Sequence, residues 1–228
     1  MPIVLHIPKP DPPQRTSLLA AAAMATLQLC MDERVGLDGM STNGAGIEGS
    51  GADTCGEPGP WREPYLAWTA SRIRKVSRRA RGGQWLAAQD VDGVTAEVNG
   101  AQARALVPGP VGELDPRIKK LQIGGTDIEA DNPAEPTGDV PVLWINAGLE
   151  MTVGKAAAQV GHASMILAGA MSTQSVWEWA QIGYRCEVRD ADAELWNLLV
   201  QRVSRGEAVA VRDAGFTEVA PGSMTVIA

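Results

Sequence analysis

At 228 residues the chain is long enough for one large domain or two small ones, and 45% hydrophobic residues suffice for a sizeable core. Cys30, Cys55 and Cys186 lie far apart without CxxC or Cys/His spacing, which argues against a zinc site or a disulfide framework and fits a reducing cytoplasm. A net charge of −7 argues against a uniformly basic surface, so an anionic partner would have to be met by a local cluster of cations.

The first thirteen residues include five prolines and read as an extended arm with one short strand at Ile3–Ile7. Ser17–Leu29 is apolar and Ala-rich. Its thirteen residues fall short of the ~20 that a bilayer requires, and no small-x-small cleavage pattern precedes Met31-Asp-Glu-Arg. It is expected to lie in a buried helix from about Ser17 to Arg34, neither leader nor membrane span. Gly36–Pro60 is Gly-rich with almost no large apolar residue, so it cannot offset its ordering entropy and is expected to be a flexible loop. A helix is then expected over Arg62–Arg81, with Pro64 in its first turn. On it Ile73, Val76 and Ala80 would form an apolar stripe, leaving Arg72, Arg74, Lys75, Arg78, Arg79 and Arg81 on a cationic back. Such a run is either a solvated face or a grip on a phosphate backbone. Alternation on both sides of Asn99-Gly100 marks Val94–Val107 as a hairpin, followed by a short helix around Asp115–Leu121. Asp131–Gly138 has the composition of a linker, dividing an N-terminal region (1–138) from a C-terminal domain (139–228).

The C-terminal part alternates strand and helix. Pro141–Asn146 is a central strand and Thr152–Met171 a helix capped by Thr152, which Ser175–Gln181 either continues or follows. A strand at Tyr184–Val188 precedes a helix capped by Asp190, with Leu195, Leu198, Leu199 and Val203 as its stripe. Ala208–Arg212 and Met224–Ile227 supply two more strands. This order predicts an α/β fold: a mixed, mostly parallel four-stranded sheet covered by helices, preceded by an N-terminal α+β region.

Two places carry groups suited to chemistry. On the helix after Thr152, Lys155, Gln159 and His162 fall within ~60° of one another. By themselves they read as a snorkelling Lys and a hydrogen-bonded core His. Asp213 ends a strand and precedes Ala214-Gly215, which makes either an Asx turn or a reactive group at a strand end.

In order and spacing, Met151–Ala163 (MTVGKAAAQVGHA) and Val211–Val226 (VRDAGFTEVAPGSMTV) resemble the G-K-x-A-A-Q-x-x-H-A and D-A-G-x-T signatures of type II peptidyl-tRNA hydrolases. The resemblance covers Val140–Ala228. It implies hydrolysis of the ester between a peptide, or another N-blocked aminoacyl group, and the tRNA 3′ ribose. Lys155 would stabilise charge, Asp213 would orient water and Thr217 would position substrate, with Gln159 and His162 in support. A His one face-width inside an Ala-rich helix still reads as structural rather than as a base. No metal or organic cofactor is implied. The implied partner is peptidyl-tRNA in the cytoplasm, with no membrane and with a homodimer left open. The chain departs from the family pattern at Val153, where a second Lys is usual, and at Phe216 and Glu218, where Arg and Gln flank the Thr. These departures keep open a non-catalytic tRNA- or protein-binding module, or a hydrolase of another small ester. Ile123-Gly-Gly-Thr126, after helix, hairpin and helix, faintly echoes the C-terminal pattern, although unrelated architecture is the expected account of the N-terminal region.

Overall fold

Ile3, Val4 and Leu5 have no solvent exposure, so the strand they form, β1 (Pro2–His6), is buried on both faces. The computed structural model describes residues 1–36 and 59–228. After β1 come α1 (Arg15–Cys30), α2 (Arg62–Thr69), β2 (Val76–Ala80), α3 (Gly83–Gln89), β3 (Gly93–Val98), β4 (Ala101–Leu106) and α4 (Pro116–Lys119). The later elements are β5 (Val142–Asn146), α5 (Val153–Ala170), α6 (Thr173–Gln181), β6 (Glu187–Ala191), α7 (Ala193–Ser204), β7 (Ala210–Arg212) and β8 (Met224–Ile227). The glycine-rich loop expected at 36–60 lies, apart from its ends, outside the described residues. No helix among the described residues is long and apolar enough to cross a membrane.

The strands form two four-stranded sheets, in the orders β2-β1-β4-β3 and β6-β5-β8-β7. In each, the first strand pairs parallel with the second and antiparallel with the fourth, and the third pairs antiparallel with the fourth. In the second sheet β5, β6 and β7 run one way. Because β8 sits between β5 and β7, only the β5–β6 ladder is parallel. The first sheet is built from residues before the 138/139 division and the second from residues after it.

The two halves therefore repeat one topology. β1, α1, β2, α3, β3 and β4 correspond to β5, α5, β6, α7, β7 and β8. The outer helices match as well: Trp85 and Ala88 of α3 cover Val4, Ala80 and Leu106, as Leu199 of α7 covers Ala191 and Ile227. This corrects the expectation of unrelated architecture. The repeat was faint in the sequence because topology depends on which strands pair, and the two halves share few side chains.

α1 and α5 pack against each other between the sheets, joining both halves in one hydrophobic cluster. α1 is apolar all round because it has neighbours all round, and its alanines let the helices approach closely. The Ser164 hydroxyl donates to the Ala23 carbonyl at 3.1 Å across this crossing, and Arg15 pairs with Asp190 at 2.6 Å beside it. A Cβ on Gly161 would lie 2.8 Å from Thr26 Oγ1. Gly161→Leu is accordingly expected to cost about 1–3 kcal/mol, measured by urea denaturation, through overpacking where the halves meet.

Several boundaries differ from expectation for tertiary reasons. α1 starts earlier than Ser17 because Asp131, in the expected linker, accepts from the Thr16 N–H at 3.1 Å and the Thr16 hydroxyl at 2.6 Å. Asp192, not Asp190, caps α7, and strand β6 extends to Ala191, with Asp190 inside it. α3 was not foreseen. The helix expected over 62–81 ends at Thr69, where the Thr69 and Ser71 hydroxyls donate to the Leu66 and Trp68 carbonyls. Val76–Ala80 becomes a strand because the edge of β1 pairs its backbone. The hairpin is as expected, with Asn99 and Gly100 at φ +50° and +79°, the left-handed pair of a type I′ turn.

Candidate active site

The N-terminus of α5 and the end of β7 meet at one edge of the second sheet. Thr152 caps α5, its hydroxyl accepting from the Lys155 N–H at 3.2 Å. The Glu218 carboxylate in turn accepts from the Thr152 N–H at 2.9 Å and from its hydroxyl at 2.7 Å. Glu218, which in sequence looks like a charge placed against tRNA, thus neutralises the positive end of a helix. Thr126, of the faint Gly-Gly-Thr echo, is buried and accepts from the Gly154 N–H at 3.0 Å.

One turn into α5, Lys155 Nζ lies 2.5 Å from Asp213 Oδ2 and 3.0 Å from Thr217 Oγ1, with side chains of Lys155 and Asp213 only 9% and 10% exposed. Gln159 Nε2 donates to the same Asp213 oxygen at 2.8 Å. The buried Thr225 hydroxyl donates to Gln159 Oε1 at 2.6 Å, so the amide can present only its NH₂ to the carboxylate. Asp213 Oδ1 accepts from the Gly215 N–H at 2.8 Å, the Asx turn expected of Asp before Gly. Burial would raise the Asp213 carboxyl, but the bonds from Lys155, Gly215 and Gln159 outweigh it and hold it below the usual carboxylate range. Gly215 is required here: its φ is +76°, and a Cβ would meet Pro221 at 2.4 Å. The loop is further closed by the Gly222 N–H donating to the Asp213 carbonyl at 2.7 Å.

The fold also brings in a residue from the other half. Lys75, just before β2, is buried, and its Nζ lies 3.0 Å from His162 Nδ1 and 3.1 Å from Met165 Sδ. Burial first, then the charge of Lys75, pushes His162 down to about 3, so the ring is neutral at physiological pH. Burial pushes Lys75 down to about 7. Where Lys75 is an ammonium it donates to Nδ1, which leaves the His162 proton on Nε2. Sequence reasoning placed Lys75 on a surface helix, and nothing local reveals a contact formed across the two halves.

The six cations of 72–81 are thus separated. Arg72, Arg74 and Arg81 are exposed, and Lys75 points inward. Arg78 donates to the Leu121 carbonyl at 2.7 Å, and Arg79 donates to Gln122 Oε1. Arg72, Arg74 and Lys75 line a cavity of about 720 Å³ that also contains Lys155, Gln159, His162, Asp213 and Thr217. That volume suits a small-molecule or terminal-group substrate. A second cavity of about 700 Å³ lies by the linker, where Arg15 and Asp131 are already engaged with Asp190 and Thr16.

The repeat contains a counterpart of the site without its chemistry. Ser17, one turn into α1, corresponds to Lys155, and Asn99, at the end of β3, to Asp213. Asn99 Nδ2 donates to Ser17 Oγ at 3.2 Å, a neutral contact where the other half has an ion pair. Ala21 stands where Gln159 does.

Fold and site together define an α/β protein with a shielded ammonium–carboxylate pair at a strand end. The profile of the family Peptidyl-tRNA hydrolase PTH2 matches residues 140–228. A peptidyl-tRNA hydrolase of Haloquadratum walsbyi is 40% identical over 85 residues, covering 36% of this chain and 76% of that protein. Those of Pyrobaculum aerophilum and Methanopyrus kandleri are 37% and 34% identical over 93 residues each, covering 37% and 38% of this chain and 78% of each relative. The chain belongs to the peptidyl-tRNA hydrolase PTH2 family.

Proposed function

We propose that this chain hydrolyses the ester joining a peptide, or another N-blocked aminoacyl group, to the 3′ ribose of tRNA. The observation that carries this reading is the convergence of Lys155, Asp213 and Thr217 at the end of β7, within one cavity. Water attacks the ester carbonyl carbon, the bond to the ribose 3′ oxygen breaks, and the peptide leaves as its carboxylate. A proton from the water restores the ribose hydroxyl. Asp213, ionised at neutral pH, orients the water, while Lys155 faces the oxygen on which negative charge develops. Thr217 hydrogen-bonds the substrate, and Gln159, held by Thr225, fixes Asp213. An ester is activated relative to an amide, so these groups suffice without a nucleophilic side chain. The substrate places the work in the cytoplasm.

The departures from the family pattern lie beside this centre. Glu218 accepts from Thr152, the cap of α5, and Arg74 from the other half restores positive charge next to Phe216. They therefore give little support to a purely binding role. Release of the ester from N-acetyl-aminoacyl-tRNA, with unblocked aminoacyl-tRNA as control, tests the reading, and absence of turnover with tRNA still bound would overturn it.

The tRNA backbone is met by the edge of the first sheet. Arg72 and Arg74 stand at the mouth of the cavity, and Arg79, Arg81 and Lys120 line a smaller recess of about 190 Å³ further along. Charge reversal at Arg74, Arg79 and Arg81 is expected to weaken tRNA binding and to flatten its salt dependence by roughly 0.7–0.9 per lost phosphate contact. Filter binding at several salt concentrations measures both quantities, and an unchanged slope rules out this face.

A further inference from the structure

The first question about Phe216 is why a ring stands there at all. It is the only Phe in the chain, and it stays 59% exposed although it adjoins Thr217. The loop presenting it is tied down on both sides, by the Asx turn at Asp213 and by the Gly222 N–H donating to the Asp213 carbonyl. An anchored loop holding an apolar ring in water has not buried it for stability. Two guanidiniums from the other half reach the ring. Arg74 Cζ lies 4.5 Å from its centroid and Arg72 Cζ 5.8 Å.

An exposed aromatic face flanked by guanidinium planes suits one chemistry well. Bases stack on aromatic rings and on arginine, and the same guanidiniums pair with phosphate oxygens. An aliphatic side chain could use the ring but would gain nothing from two cations and would cost them solvent. The position fits a nucleotide too. In an aminoacyl ester on a ribose 3′ oxygen, only one sugar separates the scissile bond from the terminal base and its 5′ phosphate, and Phe216 is the residue next to Thr217.

We infer that Phe216, Arg74 and Arg72 form a platform on which the 3′-terminal adenine of tRNA stacks, with its phosphate held by the arginines. The platform is built across the two halves of the chain, so the half that lacks the catalytic pair supplies nucleotide binding to the half that has it. The inference rests on the hydrolase reading for the identity of the nucleotide. The platform itself is tested without turnover.

The probe for binding is the trinucleotide CCA, titrated against the full chain and compared for wild type, Phe216→Leu and Phe216→Trp. Stacking is worth about 1–3 kcal/mol per base, so Phe216→Leu is expected to weaken CCA binding about 5- to 150-fold, and Phe216→Trp to retain it. With N-acetyl-aminoacyl-tRNA, the loss in Phe216→Leu is expected to fall on KM more than on kcat. Equal CCA affinity for wild type and Phe216→Leu, or no CCA binding by wild type, overturns the platform. A Phe216→Leu defect that varies with the aminoacyl side chain but spares CCA overturns it in favour of a peptide pocket. If CCA binding depends on Phe216 while wild type releases no ester, the platform stands and the hydrolase reading fails.

Discussion

Asp213→Asn is expected to lower turnover of N-acetyl-aminoacyl-tRNA by about 10²–10³-fold, the range seen when one preorganised polar group of a catalytic centre is lost. The amide keeps the shape of the side chain and can still accept one bond, but it carries no charge to orient water or to balance Lys155. Because Lys155 and Asp213 are both about nine-tenths shielded, the substitution also leaves an ammonium with no counter-charge at 2.5 Å. Lys155→Met should therefore be nearly as inactive, and the double variant no worse than either single one, since the two act as a unit. Wild-type single-turnover rates in Asp213→Asn would remove Asp213 from the mechanism. The bonds that hold the Asp213 carboxyl below the usual range also set a pH dependence. A carboxylate with a depressed folded pKa stabilises the fold above its unfolded pKa, and that stability is lost as pH falls through the folded value. The acid limb of the pH–rate profile should accordingly lie below the usual carboxylate range.

Lys75→Met should raise stability below about pH 7, because it removes a buried ammonium without a counter-charge, a gain offset in part by the hydrogen bond that His162 loses. Among the described residues, the groups it meets hold no negative charge at that pH: burial pushes the Cys30 thiol up to about 11 and raises the Tyr65 hydroxyl, and His162 is neutral. The Trp68 ring, 5.2 Å from Nζ, offsets only part of the desolvation. The folded-state pKa falls from 10.5 to about 7, so the cost of the charged form is complete below about 7, shrinks as pH rises, and is gone above 10.5. Wild-type stability should thus rise between about pH 7 and 10.5 from this group, and Lys75→Met should abolish that rise. His162, lowered from 6.5 to about 3, acts in the same sense over the acid range, and Lys75→Met should weaken that limb without removing it, because burial is the larger cause. Denaturant midpoints from pH 4 to 10 separate the two limbs, and an unchanged alkaline slope would refute the assignment. Turnover in the same variant should fall less than in Asp213→Asn, because Lys75 touches His162 rather than the Lys155–Asp213 pair.

What was readable in advance was local. The Thr152 cap, the run of helix that places Lys155, Gln159 and His162 on one face, the Asx turn at Asp213 and the Asn99-Gly100 hairpin depend on neighbours within a few residues, and sequence patterns report such neighbours directly. The order of strands and helices in residues 139–228 followed from the same kind of signal. Arg62–Arg81 failed because helical spacing of its cations is a local pattern too, whereas the pairing of Val76–Ala80 with β1 spans more than seventy residues and overrides it. The role of Glu218 was likewise decided by its partner at Thr152 rather than by its charge. By itself, then, the sequence determined the family and the order of the C-terminal elements, and it singled out Lys155, Asp213 and Thr217, which the fold brings together. Only the tertiary structure decided that the N-terminal half repeats the same topology and lends Lys75, Arg72 and Arg74 to its neighbour's cavity. Strand pairing and helix crossing between distant segments leave no periodicity along the chain, and the corresponding positions, Ser17 for Lys155 and Asn99 for Asp213, no longer share a side chain by which the repeat could be recognised.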